Sequence, residues 1–233
     1  MPIFRLSSEL LFPPVELSEP DGILAAGGDL SVERLLLAYR SGIFPWYSSG
    51  EPILWWSPDP RFVLFPEDLH ISKSLKKVLN SNQFEITFDK AFPQVISHCR
   101  AKNRPNQEGT WITKEMIRAY VDLHRAGYAH SVEAWKDGIL AGGLYGVSIG
   151  RVFFGESMFY LVENASKIAF VKLVEKLRSL GFLVIDSQVY TKYLETFGAK
   201  HIPREKYLEI LQKGFEMESI VGNWGELMKS YSI

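Results

Sequence analysis

The chain has 233 residues, 26 Lys+Arg against 27 Asp+Glu, 46% hydrophobic and 23% charged residues, and one cysteine. These values exclude a wholly disordered chain and leave room for one large domain or two small ones with a real core. Cys99 alone cannot form an internal disulfide, and no apolar run approaches the ~20 residues that span a bilayer. The opening MPIFRLSSELLFPP breaks the apolar stretch that a signal peptide needs, so a soluble cytoplasmic protein without membrane contact is expected. Charge is graded along the chain: residues 1–60 hold 3 basic and 8 acidic side chains, whereas residues 61–125 hold 11 and 7. The middle segment can therefore meet a polyanion, or its charges are simply solvated.

The first sixty residues are rich in Pro, Gly and Trp, and predict short strands and loops held by aromatic packing. Within them, Ser31 to Ser41 reads as a helix, with Val32, Leu35, Leu36 and Tyr39 on one face and Gly42 as its stop. LHISKSLKKVLN, from Leu69 to Asn80, predicts a helix with Lys73, Lys76 and Lys77 grouped together. QFEITF (83–88) alternates as a strand does, and Lys90 to Lys102 predicts a helix running into a basic polar loop, 100–109. Thr113 is placed to cap a helix to Arg125, with Ile117, Tyr120 and Val121 inward and Gly127 as its stop.

Strands follow. AHSVEAW, ILAGGLYGVSI and RVFFGESMFY are joined at Lys136-Asp137-Gly138 and at Gly150. NASKIAFVKLVEKLRSLG is the clearest helix, with Ile168, Val171, Val174 and Leu177 as its stripe, and FLVIDSQV is a buried strand. Three antiparallel strands, a helix and a strand parallel to the sheet edge make an α+β layer fold.

Polar groups inside apolar strands are the anomaly, because burial without partners is costly. Glu156 lies within VFFGESMF, and Asp186 with Gln188 ends LVIDSQV. Each is either paired structurally or kept for a ligand; two cases on neighbouring strands favour a shared pocket. Trp46, Tyr47, Trp55, Trp56 and Trp111 fall in predicted turns, either as the core of a helix-poor unit or as stacking surfaces. Phosphate-loop, CxxC and HExxH motifs are missing from the sequence, which disfavours metalloenzymes.

GDLSVERLLLAYRSGIFPWY, PILWWSPDPR, LHISKSLKK, EGTWIT, HSVEAW, GGLYGV, GESMF, ENASKIA and IDSQV, in this order, resemble the leucyl/phenylalanyl-tRNA–protein transferases from about residue 20 to residue 207. The resemblance implies a small N-terminal domain (1–62) and a GNAT acetyltransferase-like C-terminal domain with a mixed sheet (63–233). It also implies transfer of leucyl or phenylalanyl, less often methionyl, from aminoacyl-tRNA to the amine of proteins beginning with Arg or Lys. The product carries an N-end-rule degradation signal. No metal or cofactor is implied, and a monomer is expected.

In that light Asp186 and Gln188 are the pair that activates the acceptor amine, with Asp186 polarising and Gln188 orienting. Glu156 is a candidate for the ammonium of the donor. Leu144, Phe153, Met158, Phe170 and Ile185 are candidate walls for its side chain, and Trp46 and Trp111, with Tyr39 nearby, for the terminal adenosine. Lys73, Lys76, Lys77, Arg100, Lys102 and Arg104 are candidates for acceptor-stem phosphates. The sequence departs from the family pattern after Gln188, where Thr191 and Tyr193 stand in place of Asn and His, and Phe197 in place of Leu. Ser187 replaces the usual Cys, which argues against a thiol nucleophile. Two rivals are an acyl-CoA-dependent N-acetyltransferase, for which LVENASK lacks the glycine-rich pyrophosphate loop, and a non-catalytic tRNA-binding module.

Overall fold

The computed structural model describes residues 3–101 and 112–230. Lys102, Arg104 and Trp111 lie outside the described residues.

The N-terminal segment forms a sheet of β1 (Phe4–Leu6), β2 (Ile23–Gly27), β3 (Phe44–Pro45) and β4 (Leu54–Trp56), in the order β1-β2-β4-β3. Helix α1 (Val32–Arg40) lies where expected, with Ser31 as its cap: the Ser31 hydroxyl accepts from the Arg34 amide at 3.3 Å. Gly42 follows at φ +72°, and a Cβ there would press on Leu208 at 3.0 Å, so glycine both ends the helix and admits a close neighbour.

The main sheet has seven strands among the described residues, in the order β11-β5-β10-β9-β8-β7-β6. They are β5 (Arg61–Leu64), β6 (Glu85–Phe88), β7 (Ala129–Lys136), β8 (Ile139–Ile149), β9 (Val152–Tyr160), β10 (Val184–Asp186) and β11 (Lys200–Ile202). Every pairing is antiparallel except β9 with β10, where Val184, Ile185 and Asp186 face Val152, Phe153 and Phe154. The sheet is therefore mixed, as expected. Asp137 and Gly138 turn the β7–β8 hairpin at φ 52° and 76°, the geometry that Asp-Gly favours.

Helices cover both faces. Consecutive residues of β8 point opposite ways. A Cβ on Gly142 would meet Ala165 of α5 (Ala165–Ser179) at 2.7 Å, whereas one on Gly143 would meet Val95 of α3 (Phe92–Ala101) at 3.5 Å. With α5 packs α2 (Lys73–Asn80), through Leu75. With α3 packs α4 (Lys114–Arg125). The remaining helices are α6 (Lys192–Glu195), α7 (Arg204–Phe215) and α8 (Trp224–Ser230).

Three expectations change. The helix expected from Leu69 begins at Lys73, because Ser72 caps it and the His70 amide bonds to the Phe197 carbonyl at 2.9 Å. The buried side of α4 is Met116, Ala119, Tyr120 and Leu123, with Ile117 and Val121 only half-buried. Residues 61–64 form an unforeseen strand, β5, between β10 and β11, so the N-terminal segment hands the chain directly to the main sheet. One apolar core runs through both, joining Leu24, Leu35 and Trp55 to Val63, Val147 and Phe154.

Candidate active site

Strands β9 and β10 run together only as far as Phe154 and Asp186. Beyond that point β9 continues to Tyr160 while the other chain turns away, and the site lies in the gap. Two local devices build it. The first is a bulge in β9: Tyr145 pairs with Ser157 and Gly146 with Gly155, which leaves Glu156 as the extra residue. A bulge re-aims its side chain, and Glu156 is turned towards α1 and α4. The second is Gln188, held at φ +64°, a conformation that costs a non-glycine residue about 1–3 kcal/mol. Its amide donates to Asp186 Oδ1 at 2.8 Å, which fixes the turn.

Glu156 has three partners. Oε1 accepts from Tyr39 Oη at 2.7 Å and from Gln188 Nε2 at 2.9 Å, and Oε2 accepts from Tyr120 Oη at 3.1 Å. Tyr39 and Tyr120 are also hydrogen-bonded to each other. The two phenols supply two protons: with Glu156 ionised both go to its oxygens, and with Glu156 protonated its own proton goes to one phenol and frees that phenol to donate to the other. Burial pushes the Glu156 carboxyl up to about 7, against the bonds from Tyr39, Gln188 and Tyr120. Packed by protein on one side, Glu156 remains partly accessible through the cavity on the other.

Asp186 is fully buried under this pair. Its carboxylate accepts from Arg61 Nε at 2.9 Å, Arg61 Nη2 at 2.7 Å, Tyr207 Oη at 2.7 Å and the Gln188 amide. Arg61 lies between the rings of Phe44 and Tyr207, 4.8 and 4.7 Å from their centroids, and donates to the Gly42 carbonyl at 3.2 Å. Burial works against the Arg61 charge, and Asp186 more than offsets it, so the guanidinium is held above its usual range. All four donors approach Asp186 from the protein, so this carboxylate faces Arg61 rather than the cavity. It holds the Gln188 amide and is not among the residues that line the cavity.

The cavity itself is about 420 Å³ and crosses from the Glu156 side of the sheet to the α5 side. Leu144, Phe153, Met158, Phe170 and Ile185 line it, with Trp46 at the rim. Trp46 is 37% exposed and packs on Trp56 at 5.4 Å, with Trp56 Nε1 donating to its carbonyl at 2.6 Å. Tyr39 is brought to the site but stands behind Glu156 and touches no open space. Phe44, Ser166, Leu173, Ser187, Thr191, Tyr193 and Leu194 also line the cavity and were not singled out as walls from the sequence. Nor were Arg61 and Tyr120 assigned to the site. An arginine at the head of RFVLF is the same anomaly as Glu156 in its strand, and that signal was present in the sequence.

Those of the basic candidates that are among the described residues are not brought together. Lys73, Lys76 and Lys77 are exposed on α2, over the α5 face, whereas Arg100 ends α3 across the sheet. Among the described residues no group of three or more His, Cys, Asp or Glu side chains is placed to hold a metal ion, and no helix is long and apolar enough to cross a membrane.

Residues 63–212 match the family model described as leucyl/phenylalanyl-tRNA protein transferase, and residues 28–59 match the model of its N-terminal domain. A protein of Syntrophobacter fumaroxidans named leucyl/phenylalanyl-tRNA–protein transferase is 58% identical over 211 residues, covering 91% of this chain and 90% of its own. One of the same name from Myxococcus xanthus is 54% identical over 228 residues, covering 97% of each. The solved structure of L-PGS from Bacillus licheniformis aligns with a TM-score of 0.37 and 12% identity over 74% of this chain and 57% of that one, too distant to bear on the fold or the site.

Proposed function

This chain belongs to the leucyl/phenylalanyl-tRNA–protein transferase family, and from that premise we propose how its cavity moves a leucyl or phenylalanyl group from tRNA to protein. The ester bond of an aminoacyl-tRNA is already activated. The enzyme has to hold two substrates in reacting geometry, keep the incoming amine neutral and support the oxyanion that forms. In the reaction an amide C–N bond forms, the ester C–O bond breaks, and the ribose oxygen leaves with a proton that the amine gives up.

The observation that carries the reading is the Gln188–Glu156 bond of 2.9 Å at the edge of a largely apolar cavity. The apolar walls take the donor side chain, and Glu156, once ionised, holds the donor ammonium. Because Nε2 of Gln188 is committed to Glu156, its amide oxygen is the acceptor that faces the incoming amine. An N-terminal amine has a reference pKa near 8, so orientation with modest base assistance suffices near neutrality. Asp186 and Arg61 act through the Gln188 backbone. Trp46 at the rim stacks on the terminal adenosine, and the α2 lysines meet backbone phosphates.

Further parts of the proposal are an acceptor beginning with Arg or Lys, methionyl as a lesser donor, an N-end-rule product, and a cytoplasmic monomer. The division into an N-terminal unit of residues 1–62 and a GNAT-like unit of residues 63–233 belongs with them. The parting of parallel strands β9 and β10 at the cavity supports the GNAT-like reading. The test is transfer of radiolabelled leucine from leucyl-tRNA to a peptide with N-terminal Arg, without added CoA or metal, beside a peptide with N-terminal Glu. Label in the Arg peptide alone is expected. Equal labelling of both peptides overturns the acceptor rule, and no labelling of either overturns the reaction assigned to the cavity.

A further inference from the structure

We propose that the Ser187 hydroxyl is a further catalytic group, donating a hydrogen bond to the oxyanion that forms when the acceptor amine attacks the ester carbonyl. The inference rests on the reading that this cavity joins an aminoacyl ester to an amine.

Ser187 stands where the sheet opens. Phe154 and Asp186 are the last paired residues of β9 and β10. One step further along the two chains lie Gly155 and Ser187, and two steps further Glu156 and Gln188, joined by their 2.9 Å side-chain bond. Gly155 and Ser187 both line the cavity. A Cβ on Gly155 would meet one neighbour within 4 Å, the Asp186 carbonyl at 3.6 Å, so there is room for a substrate group beside that backbone. The half-buried Ser187 has no hydrogen-bond partner for its hydroxyl among the described residues, yet this hydroxyl is not one of the sealed, unpaired polar atoms of the interior. It opens on the cavity.

The backbone on both sides of the hydroxyl is fixed. The Ser187 amide donates to the Phe62 carbonyl at 3.0 Å, and the Ser187 carbonyl accepts from the Val189 amide at 2.7 Å. The hydroxyl can rotate but its oxygen is held, the condition under which a donor meets a developing charge without reorganisation. Neighbouring polar groups are engaged elsewhere. Gln188 Nε2 donates to Glu156, Thr191 is turned towards the Leu194 amide that it caps at 3.2 Å, and Ser166 is bonded to Tyr193. As the amine nitrogen bonds to the carbonyl carbon, the carbonyl π pair moves onto oxygen, where Ser187 meets it. As that pair returns, the ester C–O bond breaks and the ribose oxygen leaves with the proton that the amine gives up. Ser187 keeps its own proton throughout. A hydrogen bond to a charged oxygen is stronger than one to a neutral carbonyl, so its effect falls on the rate rather than on binding.

The experiment compares single-turnover transfer from leucyl-tRNA to an Arg-peptide with the affinity for leucyl-tRNA carrying an amide in place of the ester. Ser187→Ala is expected to lower the rate about 100-fold, the scale of one lost oxyanion donor, and to leave that affinity unchanged. The affinity also reports that the variant is folded. Ser187→Cys, which keeps a weaker donor, is expected to fall between Ser187→Ala and the wild type. A Ser187→Ala rate equal to that of the wild type overturns the inference, as does a loss of rate matched by a loss of affinity. No transfer by the unaltered enzyme overturns the cavity reading together with it.

Discussion

Gln188 Nε2 donates to Glu156 Oε1 at 2.9 Å across the gap where β9 and β10 part, joining residues 32 apart in the chain. Neither side chain reaches this position by regular strand geometry. Glu156 arrives through a bulge and Gln188 through a left-handed backbone turn. The pair marks the point at which a sheet becomes a site.

A carboxyl raised from 4.5 to about 7 binds its proton more tightly in the folded chain than in the unfolded one. Its contribution to stability is then complete below pH 4.5 and is lost as pH rises through 7. Glu156→Gln removes that dependence. The stability of the variant relative to the wild type is expected to rise by up to about 3 kcal/mol between pH 5 and pH 8, read by urea unfolding at both values. A constant difference would mean that Glu156 titrates in the fold as it does in water.

The ionised form of Glu156 is the one proposed to hold the donor ammonium, so KM for leucyl-tRNA is expected to rise as pH falls below about 7. Glu156→Gln is expected to flatten that profile. Steady-state kinetics from pH 6 to pH 8 decide the point, and an unaltered profile in the variant would remove Glu156 from donor binding.

Asp186 and Arg61 are buried together, so removing either leaves an uncompensated charge. Asp186→Leu and Arg61→Met are each expected to cost about 3–5 kcal/mol, and the double variant much less than their sum. Asp186→Asn, the milder change, is expected to lower the transfer rate much more than tRNA affinity, because it loosens the turn that presents Gln188. Additive unfolding costs, or equal losses in rate and affinity, would show that the two residues do not act as one support.

Gly142 lies under the start of α5, where an added Cβ would meet Ala165 at 2.7 Å and the Ser166 amide at 3.0 Å. Gly142→Ala is expected to destabilise the fold by about 1–3 kcal/mol as the helix is pushed off the sheet. Because Ser166 lines the cavity, KM for the donor should rise as well. Thermal unfolding and donor kinetics together test it; wild-type values for both would mean that α5 yields at no cost.

The α2 lysines and Arg100 share no element and lie over opposite faces of the sheet. Changing Lys73, Lys76 and Lys77 to Ala is expected to weaken leucyl-tRNA binding and to reduce its salt dependence by about one charge for each phosphate no longer neutralised. Arg100→Ala, whatever its own effect, should add to theirs without coupling. Binding isotherms at several salt concentrations measure both slopes, and a large interaction energy between the two sets would overturn their independence.

The amino-acid sequence by itself determined the elements whose causes are local. Thr113 caps the helix it was expected to cap, Asp137-Gly138 turns its hairpin, and the strand ending at Asp186 lies parallel to the strand before it. Six of the residues named for the donor pocket line one cavity, because alternation along a strand and periodicity along α5 already divide side chains between faces. Tertiary structure alone decided the rest. Arg61 meets Asp186 across 125 positions and Tyr120 meets Glu156 across 36, and no signal within a few residues specifies such a partner. The same packing hid Asp186 beneath the cavity and separated Arg100 from the α2 lysines. Caps, turns and periods depend on neighbours in the chain, whereas the surroundings of a charge depend on whatever the whole fold brings beside it.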